Sequence, residues 1–352
     1  MMKKIKFVLT DPTPRIVGGY KMVYIYANAL AEAGYDVEIT YRCYRKYSPQ
    51  ILTLMNYAYR YWLTRKKIPW FPLSNKVKRS MVLQIKKMES ADLIIATSVH
   101  TAKELWEKDL WKDHVIAYLI QDYETWAESE EHLDETYRYG FKNIVIAKWL
   151  EELVYQKSGT RPFYVPNGID CSVFCCRAAY NERPAHSIAM LYHNQARKGA
   201  ADGLKAIYKL KELFPDLTAE LFGSPERPDD LPEWIAYTRN AKPAEVAAIF
   251  NRNRICFMPS KREGFGLTGL EAMACGALLI TTPCEGVFDY AIDKKNAFIT
   301  QDFEYVSFVE LTTYCFENPE VASQTCQEGI ETGRRFDVKT CQKKMVDYIG
   351  RL

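Results

Sequence analysis

No uncharged apolar run in this 352-residue chain approaches the ~18 residues that span a bilayer. The apolar stretch near the N-terminus is short and stops at Asp11-Pro12, so it reads as a first buried strand and not as a secretory leader. A cytoplasmic protein is expected. The first strand is not followed by G-x-G-x-x-G. Only the pair Gly18-Gly19 is present, which argues against a nicotinamide-dinucleotide enzyme. Paired C-x-x-C spacing is absent. Of the ten cysteines only Cys171, Cys175 and Cys176 cluster, while Cys43, Cys256, Cys275 and Cys341 read as small buried hydrophobes. Reduced, non-ligand thiols are expected. Internal repeats and low-complexity segments are also missing. The last absence is local: residues 42–88 contain twelve Lys or Arg and no Asp or Glu, leaving 35 basic against 44 acidic residues elsewhere.

The total is ordinary. The net charge is +3, with 48% apolar, 13% aromatic and 26% charged residues, which describes a folded globular protein of about two domains. A disordered chain, a small disulfide scaffold and a general nucleic-acid binder are excluded. Short apolar strands alternate with amphipathic helices. Strands are expected over 5–10, 37–41, 93–97, 116–121 and 144–147, with a helix over 20–33 ended by Gly34. Strand runs that are apolar throughout imply parallel sheets covered on both faces. The pattern breaks at Tyr164-Val165-Pro166-Asn167-Gly168-Ile169-Asp170 and in the charged stretch 177–185. It restarts with strands over 187–192, 219–222, 255–258 and 278–281 and helices over 200–213, 244–251 and 267–275. The expectation is two doubly wound, Rossmann-like α/β domains facing each other across a cleft. Their bounds are 1–170 and 171–335, with residues 336–352 as a C-terminal helix.

The strongest local signal runs from Ser260 to Gly276, as S-K-R-E-G-F-G-L-T-G-L-E-A-M-A-C-G. A strand ends at Met258-Pro259, a glycine-containing loop follows, and a helix begins near Leu267. Such a loop presents backbone N–H groups at a helix N-terminus, where the dipole favours an anion such as phosphate. Glu263 lies on the loop and Glu271 about one turn inside the helix. Phosphate would repel both carboxylates, so hydroxyl donors are their better partners.

Glu263 and Glu271, with seven residues between them around G-F-G-L-T, resemble the donor-site signature of retaining GT-B glycosyltransferases of family 4, the glycogen-synthase-like nucleotide-sugar transferases. The resemblance implies that Glu263 contacts donor-sugar hydroxyls. It also implies that Gly264, Phe265, Gly266, Leu267 and Thr268 hold the diphosphate and that Glu271 binds the ribose. It assigns Lys198, in Tyr192-His193-Asn194-Gln195-Ala196-Arg197-Lys198-Gly199, to the leaving diphosphate. The family's arginine position falls near His193 or Asn194, a departure for which Arg197 is the candidate substitute. Gly18 and Gly19 match the family's N-terminal glycine loop, and Pro166–Asp170 its interdomain segment. The family's helix 338–349 returns to the first domain. Gln121-Asp122-Tyr123-Glu124 stands where many members carry a histidine, and it is similar to a rhamnosyltransferase-like branch. Asp122 reads either as an acceptor-hydroxyl contact or as a helix N-cap. His100 is a further candidate substrate contact.

The resemblance implies an enzyme that moves a sugar from a nucleoside diphosphate to an acceptor hydroxyl with retention of configuration. Cell-surface polysaccharide or glycolipid synthesis is the expected setting. No Asp-x-Asp pair occurs, so neither a metal nor a cofactor is expected beyond the nucleotide-sugar co-substrate. A front-face route, with the donor phosphate taking the acceptor proton, suits the lack of an evident nucleophile. The partners expected are the donor, a glycan or lipid-linked acceptor, and an anionic membrane surface contacted by residues 42–88 at the inner face; nucleic acid is not. A solvated helical face whose aromatics pack on the first domain is the other reading of 42–88. The rival functions are a nucleotide-sugar 2-epimerase of the same fold and a non-catalytic sugar-binding subunit.

Overall fold

The computed structural model describes residues 3–13, 17–42, 67–68 and 70–352, together with Met55, Tyr59 and Trp62. Pro14, Arg15 and Ile16, Cys43, and much of the basic segment (Arg45, Lys46, Arg60, Arg65 and Lys66 with Tyr44, Tyr47, Tyr57 and Tyr61) lie outside the described residues.

The chain divides into two compact units, Met1–Pro166 with Cys341–Leu352, and Asn167–Thr340. Among the described residues the first unit contains β1 (Lys4–Leu9), α1 (Gly18–Glu32), β2 (Asp36–Arg42), β3 (Lys78–Val82), β4 (Leu93–Ala96) and α2 (Val99–Glu107). They are followed by β5 (Val115–Ile120), α3 (Glu130–Tyr137), β6 (Lys142–Val145), α4 (Lys148–Ser158) and β7 (Phe163–Tyr164). The strands form one parallel sheet in the order β3-β2-β1-β4-β5-β6-β7. Its central strands are apolar because helices cover both faces; Ile5, Phe7, Leu93, Ile95 and Leu119 are fully buried. One exception is Lys6, whose ammonium sits 2.9 Å from Glu38 on the neighbouring strand, both side chains buried.

Much of the basic segment, and with it the helical-face reading, lies outside the described residues. Its C-terminal part is the edge strand β3, where Lys78 pairs with Asp36 at 2.8 Å; a charged edge discourages pairing with another sheet. Trp70 and Phe71 pack against Tyr24 of α1, with centroids 5.5 and 5.4 Å away. Tyr59 and Trp62 stack on each other and are exposed.

The second unit contains β8 (Ser187–Tyr192), α5 (Ala200–Leu213), β9 (Thr218–Gly223), β10 (Ile235–Arg239), α6 (Pro243–Arg252), β11 (Ile255–Met258) and α7 (Leu267–Ala274). After them come β12 (Leu278–Thr281), β13 (Phe298–Ile299), α8 (Tyr305–Glu317) and α9 (Pro319–Arg335), with α10 (Val338–Ile349) running from the second unit's last residues into the tail. This sheet is also parallel, in the order β10-β9-β8-β11-β12-β13. Its core includes Ile188, Met190, Leu221, Phe257, Ile280 and Phe308. Tail residues Tyr348 and Lys344 pack on the first unit's β7, Tyr348 stacking on Phe163 at 3.8 Å and Lys344 lying 4.7 Å over Tyr164.

The charged stretch 177–185, where the strand–helix pattern breaks, is built into the second unit. Arg183 is 4% exposed. Its guanidinium donates to the carbonyls of Phe250 and Asn253 at the end of α6 and to Cys275 at the end of α7, at 2.8–2.9 Å. A buried cation is retained here because helix C-termini offer unsatisfied carbonyls and a negative dipole end.

Candidate functional site

In an open parallel sheet the loops diverge where the strand order reverses, leaving a crevice at the carboxyl ends. In the second unit that point lies between β8 and β11, which pair in parallel at Ile188 and Ile255. The loop after β8 runs through His193 to Gly199; the loop after β11 runs through Ser260 to Gly266. The Lys261 N–H donates to the Arg197 carbonyl at 2.7 Å and ties the two loops together. Gly199 adopts φ +65°, and a Cβ there would lie 1.8 Å from the Pro259 carbonyl oxygen. Only glycine lets the backbones approach this closely.

That approach brings Lys198 and Glu263, 65 residues apart, into one ion pair. Lys198 Nζ lies 2.6 Å from Glu263 Oε1, with the side chains 17% and 12% exposed. The Ser260 hydroxyl donates to the same oxygen at 2.7 Å. Lys198, Ser260, Glu263, Thr268, Leu191 and Pro259 help line a cavity of about 10 Å³. Gly266, at φ +80°, opens α7, and no side chain among the described residues caps its first turn. The buried Tyr290 hydroxyl anchors the loop from behind by donating to the Gly266 carbonyl at 2.6 Å. A bare helix start beside a mostly desolvated lysine is electropositive and can hold an anion.

The other donor-site residues take different positions. His193 is half-buried, and its Nδ1 accepts from the Gln195 N–H at 3.0 Å, which leaves the ring proton on Nε2. Burial, then Lys198 and Arg197, hold its pKa below the usual 6.5, so the ring is neutral near pH 7. Asn194 is exposed. Arg197 donates to the Gln195 side chain at 3.2 Å and to the Arg262 carbonyl at 3.4 Å, which makes it a tie between loops. Gly264 and Phe265 are buried. The Phe265 ring packs on Tyr290 and Phe336, so this side chain serves the core. Leu267, Thr268 and Glu271 are half-buried on α7. The Glu271 carboxylate helps burial push the Cys275 thiol up, placing it on the side of that thiol. Cys171 donates to the Gly333 carbonyl at 3.7 Å. No three His, Cys, Asp or Glu side chains among the described residues group as a metal site.

On the first unit the expected residues gather at the carboxyl ends of β1, β4 and β5. Gly18 and Gly19 are not loop residues but the first two of α1, and a Cβ on Gly19 would lie 3.3 Å from the Gln121 side chain. His100 is the second residue of α2, whose cap is Ser98. Asp122 is not a helix N-cap. Its carboxylate accepts from the Tyr123 N–H at 2.9 Å, and the next helix starts at Glu130 behind Ser129. Glu124 accepts from the Val99 N–H at 2.5 Å. The residue is half-buried, yet its carboxyl lies under surrounding chain. Burial first, and Asp122 as well, push its pKa up to about 7.

Comparison with known proteins settles the second unit. Residues 187–334 match the family "Glycosyl transferases group 1". They form a group 1 glycosyltransferase domain. The trehalose synthase of Pyrococcus horikoshii is 25% identical over 174 residues, 44% of this chain. The phosphatidyl-myo-inositol mannosyltransferase of Propionibacterium freudenreichii is 25% identical over 158 residues. The matched stretches span only 41% of the length of each relative. Among solved structures, sucrose-phosphate synthase from Thermosynechococcus elongatus superposes with TM-score 0.74 at 16% identity, covering 99% of this chain and 98% of that one. Anabaena HepE, in complex with UDP and glucose, gives TM-score 0.74 at 15% identity over 99% and 100%. The fold is GT-B, two Rossmann-like units.

Two carboxylates of this GT-B chain escaped the sequence reading. Glu124 lies in Gln121-Asp122-Tyr123-Glu124, two positions after the candidate Asp122. Glu285 follows the end of β12, next to β11 in the group 1 domain; Thr282-Pro283-Cys284-Glu285-Gly286 is turn chemistry at a strand end and could have drawn the same scrutiny as 260–266.

Proposed function

We propose that the chain is a retaining, metal-independent glycosyltransferase. It moves a sugar from a nucleoside diphosphate to an acceptor hydroxyl at the cytoplasmic face of a membrane, in polysaccharide or glycolipid synthesis. The observation that carries this reading is the Lys198–Glu263 pair at 2.6 Å beside the uncapped start of α7, inside a group 1 domain. The leaving diphosphate needs two negative charges stabilised as they develop. Lys198, the Nε2–H of neutral His193 and the first-turn amides of α7 supply that from fixed positions in a poorly hydrated pocket. Until donor arrives, Lys198 offsets Glu263; with the diphosphate in place, Glu263 is left to accept from sugar hydroxyls. The absence of Asp-x-Asp in the sequence leaves the neutralisation to these groups. The sequence offers no evident nucleophile, and on this reading retention follows a front-face path in which the donor phosphate receives the acceptor proton. Asp122 and His100 are assigned to the acceptor.

The test is sugar transfer from UDP-, GDP- and dTDP-hexoses by wild type, Lys198→Met, Glu263→Gln and Glu271→Ala. A loss of about 100-fold in kcat is expected for Lys198→Met and Glu263→Gln, the scale of removing one transition-state donor. Unimpaired transfer by these variants sinks the site. Donor turnover without an acceptor would favour the epimerase reading.

A further inference from the structure

We propose that Glu285 is a further donor-binding residue, accepting a hydrogen bond from a hydroxyl of the transferred sugar, and that it confines the donor to neutral hexoses against uronic acids. This rests on the nucleotide-sugar reading of the site. β11 and β12 pair in parallel from Ile255–Leu278 to Met258–Thr281, so the loops that carry Glu263 and Glu285 leave the same sheet edge side by side. They are pressed together, since a Cβ on Gly286 would lie 2.6 Å from the Glu263 carbonyl oxygen and 2.8 Å from the Phe265 nitrogen. The Thr282 hydroxyl donates to the Ser260 carbonyl and locks the same two loops. The buried Cys284 thiol senses both carboxylates: burial pushes it up to about 12, and Glu263 and then Glu285 add to the effect.

The two carboxylates differ in one respect. Glu263 Oε1 is satisfied twice, by Lys198 and by Ser260. Glu285 Oε2 is closed off from solvent and has no hydrogen-bond partner among the described residues. A carboxylate oxygen desolvated without a donor is costly, and a fold has no packing reason to keep it. A carboxylate can only accept, so the missing partner is an O–H or N–H. Lys198 already serves Glu263. A sugar hydroxyl therefore fits, whereas a sugar carboxylate would face uncompensated negative charge.

The experiment is calorimetric titration of wild type, Glu285→Gln and Glu285→Ala. The ligands are UDP, GDP and dTDP alone, then UDP-glucose, GDP-mannose, dTDP-glucose and UDP-glucuronate. The expected result is equal affinity of all three proteins for the preferred diphosphate. Affinity for its neutral sugar nucleotide should fall about tenfold in Glu285→Ala and less in Glu285→Gln, which still accepts a hydrogen bond. Wild type should bind UDP-glucose ahead of UDP-glucuronate. If both variants keep wild-type affinity for the sugar nucleotide, or if wild type binds UDP-glucuronate as tightly as UDP-glucose, the assignment is wrong. Wild type that binds no diphosphate at all would instead overturn the reading of the whole site.

Discussion

Replacing Glu124 by Gln isolates the cost of ionising one enclosed carboxyl. Gln keeps the size of the side chain and an oxygen to accept from the Val99 N–H at 2.5 Å, but it cannot ionise. In the folded chain the Glu124 carboxyl holds its proton up to about pH 7, against a usual 4.5, because burial disfavours the charged form and Asp122 adds to it. The sign follows from proton counts. Between pH 4.5 and 7 the folded state binds more protons than the unfolded state, so wild-type stability falls as pH rises through that window and levels off above it. Two and a half pKa units correspond to at most about 3 kcal/mol. The Gln variant lacks this loss, so its advantage over wild type should grow by up to that amount from pH 4.5 to pH 8. Urea unfolding followed by tryptophan fluorescence reads it. Six of the seven tryptophans, all but Trp234, lie in the first unit, so the signal reports mainly the unit that contains Glu124. Curves for the two proteins that stay parallel across this range would refute the reasoning, since Glu124 would then already be ionised at low pH.

Gly199→Ala should cost about 3 kcal/mol or more, because a Cβ 1.8 Å from the Pro259 carbonyl forces the two loops apart at a φ of +65°; thermal unfolding, and loss of diphosphate binding in whatever remains folded, measure it. Arg183→Met should lower the stability of the second unit by about 3–5 kcal/mol, since it strips buried helix-end carbonyls of their charged donor; urea unfolding followed by the exposure of Cys275 and Cys326 to a thiol reagent reads that unit. Residues 42–88, with twelve basic residues and no acidic ones, should pellet the protein with phosphatidylserine vesicles at low salt and release it at high salt. Equal, negligible pelleting with neutral and anionic vesicles would remove the membrane partner.

The regular frame was legible because its signals are local. Strands such as 187–192, 255–258 and 278–281 are apolar but for Ser187 and Thr281 at their ends, as buried parallel strands tend to be, and they form where expected. The helix over 200–213 is likewise where its periodicity puts it. Edge strands were not legible. β3 reads Lys-Arg-Ser-Met-Val, β10 ends in Thr-Arg and β7 and β13 have two residues each, so none shows a continuous apolar run. The helix start at Gly18 was missed for a related reason: a glycine pair looks like a turn until the following helix extends through it.

The sequence alone determined the layered α/β architecture and the loop-to-helix segment 260–276, because apolar period, turn residues and a helix start all act within a few positions. The tertiary structure alone decided which side chains meet. It set Lys198 on Glu263, turned Arg197 onto a backbone carbonyl and Phe265 into the core, and buried Arg183 over two helix ends. It also left one oxygen of Glu285 without a donor. These outcomes depend on the reversal of strand order between β8 and β11. That reversal brings residues 65 positions apart into a poorly hydrated pocket where charge, desolvation and close backbone approach fix their chemistry together.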